Sequence, residues 1–123
     1  MTNINWIALE TVEQLDSLLE RSVEHPVLIY KHSTRCGVSS MVRSRLERSW
    51  KNFPLNIDCY FLDLIAFRTI SNQVEELFQV RHESPQTLVI WDKQCIFHAS
   101  HFGISHHAIQ QALDNMGMVT TLG

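Results

Sequence analysis

Few side chains in this 123-residue sequence can do covalent chemistry at neutral pH, and Cys36 is the one best placed to do so. It lies in His32-Ser33-Thr34-Arg35-Cys36-Gly37-Val38-Ser39, between the apolar run Val27-Leu28-Ile29-Tyr30 and a segment of helical periodicity. A cysteine at a strand-to-helix junction has its sulfur near the unpaired N–H groups and positive dipole end of the helix. That setting, with Arg35 beside it, favours thiolate over thiol. A thiolate is a nucleophile, so the expected chemistry is thiol–disulfide exchange. Ser39 stands where a Cys-x-x-Cys pair would have its second sulfur. It cannot resolve a mixed disulfide, but its hydroxyl is one turn away and can donate to the Cys36 sulfur. Arg35 and Lys31 are the cations expected to stabilise the anion, and His32 precedes the loop and can help position it.

The other candidates weigh less. Cys59 alternates with Asp58 and Tyr60 in an apolar strand and reads as core. Cys95 falls at a hairpin, away from the end that carries Cys36. Seven histidines invite a metal reading, and Cys95, His98 and His101 are spaced by three. On a regular strand, however, His98 points opposite to the other two. His106 and His107 are adjacent on a helix and diverge. No four convergent ligands can be assembled, so no metal and no tightly bound cofactor are expected.

The elements that must position Cys36 follow from periodicity and punctuation. Thr11 to Gln14 has capping-box spacing, and Val12, Leu15, Leu19 and Val23 recur at helical intervals, which predicts a helix over 11–23 stopped by His25-Pro26. Pro26 to Lys31 reads as a strand buried on both sides. Val38, Met41, Val42, Leu46 and Trp50 mark a second helix, closed by Phe53-Pro54. A second buried strand covers 57–64, and Ile70, Val74, Leu77 and Phe78 mark a third helix. Ser84-Pro85 opens a third strand at 86–91. The polar connection Asp92-Lys93-Gln94 suits a hairpin into a fourth at 95–100. Ser105 caps a last helix carrying Ile109, Ala112, Leu113 and Met116, with Gly117 at its end.

Composition is that of one ordinary globular domain spanning 1–123: 45% hydrophobic, 19% charged, net charge −3 and pI near 6.1. Neither a nucleic acid nor an anionic membrane is the expected main partner. No apolar run approaches the roughly 18 residues needed to span a bilayer, and Met-Thr-Asn-Ile-Asn-Trp has no positive region followed by an apolar one, so no secretory signal is expected. An odd count of three cysteines without framework spacing fits reduced thiols in the cytoplasm.

The order α-β-α-β-α-β-β-α resembles the thioredoxin layout: an α/β fold with a four-stranded mixed sheet flanked by helices on both faces. In that layout the redox cysteine follows the first core strand, as Cys36 does, and a cis-proline opens the third, where Pro85 stands. The run Lys31–Ser39 together with His82-Glu83-Ser84-Pro85-Gln86 further resembles the monothiol bacilliredoxins, the YtxJ-like proteins of the bacillithiol system. That resemblance implies an oxidoreductase that removes bacillithiol from protein mixed disulfides through Cys36. Arg35, Gly37, Ser39 and Lys31 would support the site, Arg35 and Lys31 also attracting the malate carboxylates of bacillithiol. Thr34, Ser84 and Pro85 would bind substrate, with the backbone of Ser84 pairing with the client chain. Gly37 departs from the proline that often follows the cysteine there, and makes Cys36-Gly37-Val38-Ser39 resemble the Cys-Gly-Phe-Ser site of monothiol glutaredoxins. The expected partners are S-thiolated clients and a low-molecular-weight thiol, with the protein a monomer or weak dimer. Two rival readings are a glutaredoxin-like carrier of a shared iron–sulfur cluster and a non-redox peptide-binding adaptor.

Overall fold

The computed structural model describes residues 4–50 and 57–117. The elements run β1 (Ile7–Ala8), α1 (Val12–Arg21), β2 (Val27–His32), α2 (Gly37–Ser49), β3 (Asp58–Asp63), α3 (Arg68–Phe78), β4 (Gln86–Trp91), β5 (Gln94–Ser100) and α4 (His106–Asn115), with one short 3₁₀ turn at His101–Gly103. The sheet order is β1-β3-β2-β4-β5. β1–β3 and β3–β2 are parallel, whereas β2–β4 and β4–β5 are antiparallel. The mixed α/β sheet is as expected, except that it has five strands rather than four. The extra strand, β1, is two residues long, too short for alternation to register in a sequence. The proposed stop of α2 at Phe53-Pro54 lies outside the described residues.

Local chemistry explains most boundaries. Thr11 Oγ1 accepts the Gln14 N–H at 3.1 Å while Gln14 Oε1 accepts the Thr11 N–H at 3.1 Å, a complete capping box. Ser105 Oγ accepts the Ala108 N–H at 3.1 Å and starts α4. The β4–β5 connection is a two-residue turn with both central residues, Asp92 and Lys93, at positive φ of 51° and 65°. That geometry matches the right-handed twist of the paired strands.

Alternation along the strands divides the core in two. Leu28, Tyr30, Cys59 and Val89 pack under α2 and α4, against Val42, Leu46, Ile109 and Leu113. Val27, Ile29, Leu62, Leu88 and Ile90 pack under α1 and α3, against Leu15, Leu18, Ile70 and Val74. Several apolar residues at helical spacing lie outside both clusters: Val12, Val23, Met41, Leu77 and Met116 are exposed. A helix lying on a sheet buries a narrower stripe than periodicity alone delimits.

Candidate active site

Cys36 is the N-cap residue of α2, with extended backbone (φ −117°, ψ 114°) and a partly exposed side chain. Its N–H donates to the Ser33 carbonyl at 3.1 Å, and its own carbonyl accepts the Ser39 N–H at 3.1 Å. The amides of Gly37 and Val38, in the first turn, have no acceptor within the helix. Gly37 is the first helical residue, and a Cβ built there meets nothing within 4 Å. Proline would fit this position, so glycine's distinct contribution is an amide N–H that proline lacks. Thr34 and Arg35 are exposed on the turn leading into Cys36, held in part by the Arg35 N–H donating to Ser33 Oγ at 3.3 Å.

Ser39 is buried, and its hydroxyl is already engaged. Oγ accepts the Ser33 N–H at 3.2 Å and lies 2.7 Å from His32 Nδ1. Burial, and then the nearby Arg43, hold the His32 imidazole below its ordinary pKa. The proton in that pair sits on Ser39 Oγ or on His32 Nδ1 according to the ring tautomer. Ser39, expected beside the Cys36 sulfur as a donor, thus has its Oγ engaged with Ser33 and His32. Tyr30 completes the clamp: its OH donates to the Ser39 carbonyl at 2.8 Å, and burial pushes its phenol up to about 12. The His32 ring in turn packs on Phe61 at 5.0 Å between centroids. Tyr30, Phe61 and Ser33 went unnoticed as site residues in the sequence. Their signal is the alternation that puts Tyr30 and His32 on the α2 side of one strand.

Lys31 departs from its expected role. It points to the opposite face of the sheet and is 0% exposed. Its Nζ lies 3.3 Å from the Ser71 carbonyl on α3 and 3.3 Å from His82 Nδ1. Burial lowers its amine to about 8, with Glu75 acting in the other direction. An ammonium with no exposure cannot reach a substrate carboxylate, so Lys31 anchors rather than greets. Its partner His82 is tied to α3 as well, its N–H donating to Glu75 Oε2 at 2.8 Å. His82 leads directly into Ser84-Pro85.

That peptide bond is cis, as the layout implied. Lys31 pairs with Gln86, so Pro85, just before β4, lies beside the end of β2 from which the Cys36 loop leaves. The Pro85 carbonyl accepts the His101 N–H at 3.0 Å, and His101 Nδ1 is 3.6 Å from Glu83 Oε1. Ser84 Oγ is buried without a hydrogen-bond partner among the described residues.

All three cysteines are unpaired thiols. Cys59 pairs in register with Leu28, and Cys95 with Ile90 opposite Val27. At about 3.3 Å per residue, these levels lie roughly 13 and 16 Å back along β2 from His32, beyond which Cys36 sits. A disulfide needs Cα atoms within about 7 Å. Burial, with Asp58 adding to it, pushes the Cys59 thiol up to about 12. Burial also raises Cys95, whose Sγ donates to the Phe97 carbonyl at 3.3 Å.

The β4–β5 register shifts between Val89 and Ile90, which changes the faces that the β5 side chains occupy. Cys95 pairs with Ile90 and His98 with Leu88, so both lie on the same face, contrary to simple alternation. Among the described residues there is still no group of three or more His, Cys, Asp or Glu arranged to hold a metal ion. Nor is any described helix long and apolar enough to cross a membrane.

Residues 7–109 match the family model of the monothiol bacilliredoxin BrxC. Among solved structures, a candidate oxidoreductase with a thioredoxin fold superposes at a TM-score of 0.76 with 23% identity, over 87% of this chain and 92% of that one. Thioredoxin from Trypanosoma brucei brucei gives 0.72 at 14% identity, over 94% and 93%. Schistosoma mansoni thioredoxin gives 0.69 at 14% identity, over 90% and 94%. The fold is thioredoxin-like.

Proposed function

The chain belongs to the monothiol bacilliredoxin family, a family of thiol oxidoreductases, and from that premise we propose that it removes bacillithiol from S-bacillithiolated proteins in the cytoplasm. The Cys36 thiolate attacks the bacillithiol sulfur of the client's mixed disulfide. A Cys36–bacillithiol disulfide forms, the client's sulfur leaves as thiolate, and a proton from solvent restores the client thiol. A second small thiol then attacks the adduct and resets Cys36. Bacillithiol is thus a co-substrate, and no tightly bound cofactor takes part.

The single observation that carries this reading is the isolation of the Cys36 sulfur. Its i+3 neighbour is the hydroxyl of Ser39, engaged with His32, and the other two thiols sit several residues down the sheet. Exchange with a second molecule is the route that isolation leaves open. The test is to mix reduced protein with a bacillithiolated client and assay freed client thiol. The expected result is stoichiometric release that Cys36→Ser abolishes. Release unaffected by that substitution would refute the proposal.

A further inference from the structure

Charge is distributed unevenly over the two faces of the sheet. Residues 10–24, which include α1, carry Glu10, Glu13, Asp16, Glu20 and Glu24 against Arg21 alone. Residues 35–48, which include α2, carry Arg35, Arg43, Arg45 and Arg48 against Glu47 alone. Glu47 is itself occupied, accepting the Trp6 indole N–H at 2.6 Å and lying 3.8 Å from Arg43 Nε. A chain of net charge −3 therefore presents a positive surface on the side that carries Cys36.

That surface also has an apolar strip. Gly37, Met41, Arg45 and Arg48 follow one another at intervals of three and four along α2, so they share a face that begins at Cys36. Met41 is 52% exposed. Phe102, from the turn after β5, is 59% exposed. It is held against α2 by Arg45, whose guanidinium lies 5.9 Å from the ring centroid and donates to the carbonyls of Phe102 and Ile104 at 3.3 and 3.0 Å. The acidic groups at this end are engaged: Glu83 faces His101, and Asp63 Oδ1 accepts the Ile65 and Ala66 N–H groups.

We propose that this face of α2, from Cys36 past Met41 and Phe102 to Arg45 and Arg48, docks an acidic, partly apolar segment of the thiolated client. The inference rests on the function proposed above and names the class of client. The two exposed apolar side chains supply contact area along the helix that starts at the nucleophile. The arginines supply steering and select against basic sequences, an effect that salt screens.

Three short cysteine peptides, each carrying the same bacillithiol disulfide, test it. One has Asp and Glu around the cysteine, one Ser and one Lys. At low salt kcat/KM for the acidic peptide should exceed that for the neutral one by about tenfold, and in about 0.5 M salt the gap should shrink to roughly twofold. Arg45→Glu should remove the preference. Arg48→Glu, which touches neither carbonyl, should weaken it even if Arg45→Glu disturbs packing. Glu13→Lys, on the opposite face, should leave it unchanged. Equal rates, or a basic preference, would overturn the docking inference and leave the proposed function standing. No turnover of any peptide would overturn both. Self-association of the protein alone that salt dissolves and Arg48→Glu abolishes would assign this face to the α1 side of a second copy, and would also overturn it.

Discussion

Lys31 and His32 end the same strand, yet their side chains leave it on opposite faces and hold different halves of the site. His32 faces α2 and pairs with Ser39 in the first turn of the helix that Cys36 caps. Lys31 faces α3 and pairs with the Ser71 carbonyl and with His82, two residues before Ser84. One anchor sits behind the nucleophile and the other behind the strand that borders it. The difference teaches that two adjacent polar residues with similar exposure can have separable jobs, one over the first turn of α2 and one over the 82–85 loop. It also separates their costs. The His32 pair satisfies neutral groups, whereas Lys31 buries a cation against a carbonyl and an imidazole, with no ion pair to a carboxylate among the described residues.

The largest effect that can break this comparison is in stability against pH. The Lys31 amine falls from an ordinary 10.5 to about 8 in the folded protein. Below pH 8 both folded and unfolded states carry the proton, and the native state bears the cost of the buried charge. Between about 8 and 10.5 the unfolded chain keeps a proton that the native state has shed, so stability rises with pH in that window. The stability of wild type minus that of Lys31→Met, from urea unfolding, should climb by roughly 3 kcal/mol across it. A flat difference would mean the lysine is not desolvated. At neutral pH the same variant should raise KM for a protein client more than it lowers kcat.

Ser39→Ala is the next largest and should show the opposite signature. It leaves the Ser33 N–H and His32 Nδ1 unpaired, a loss of about 2 kcal/mol. Displacing the first turn of α2 should lower kcat by roughly tenfold with little change in KM. If Ser39→Ala and Lys31→Met shift KM and kcat alike, the two anchors are not separable. Smallest is Tyr30→Phe, which removes one hydrogen bond to the Ser39 carbonyl. That carbonyl is still within an α-helix, so the loss should be about 1 kcal/mol by thermal unfolding with turnover nearly unchanged.

The fold was readable because its signals are local. The Thr11 capping box, the doubly apolar run at 27–30 and the Ser105 cap each declare an element within a few residues. The candidate nucleophile was readable for the same reason, being a cysteine at a strand-to-helix junction. Partners contributed by distant elements were not. The pairing of Ser39 Oγ with His32 depends on the α2 first turn folding back over the end of β2. The burial of Lys31 depends on α3 and the 82–85 loop covering that face, which no window around Lys31 contains. The register shift that reverses His98 is set by pairing with β4, so alternation within β5 alone assigned it to the wrong face.

The central claim is that Cys36 acts without a resolving thiol from its own chain. Its most direct measurement is the intact mass of the reduced protein after a single turnover with a bacillithiolated client. The account predicts one bacillithiol adduct, mapped to Cys36, together with one freed client thiol. It predicts the same result in Cys59→Ala and Cys95→Ala, whose thiols lie far down the sheet. A protein that instead ends two hydrogens lighter, with no adduct and an internal disulfide to Cys59 or Cys95, would contradict it.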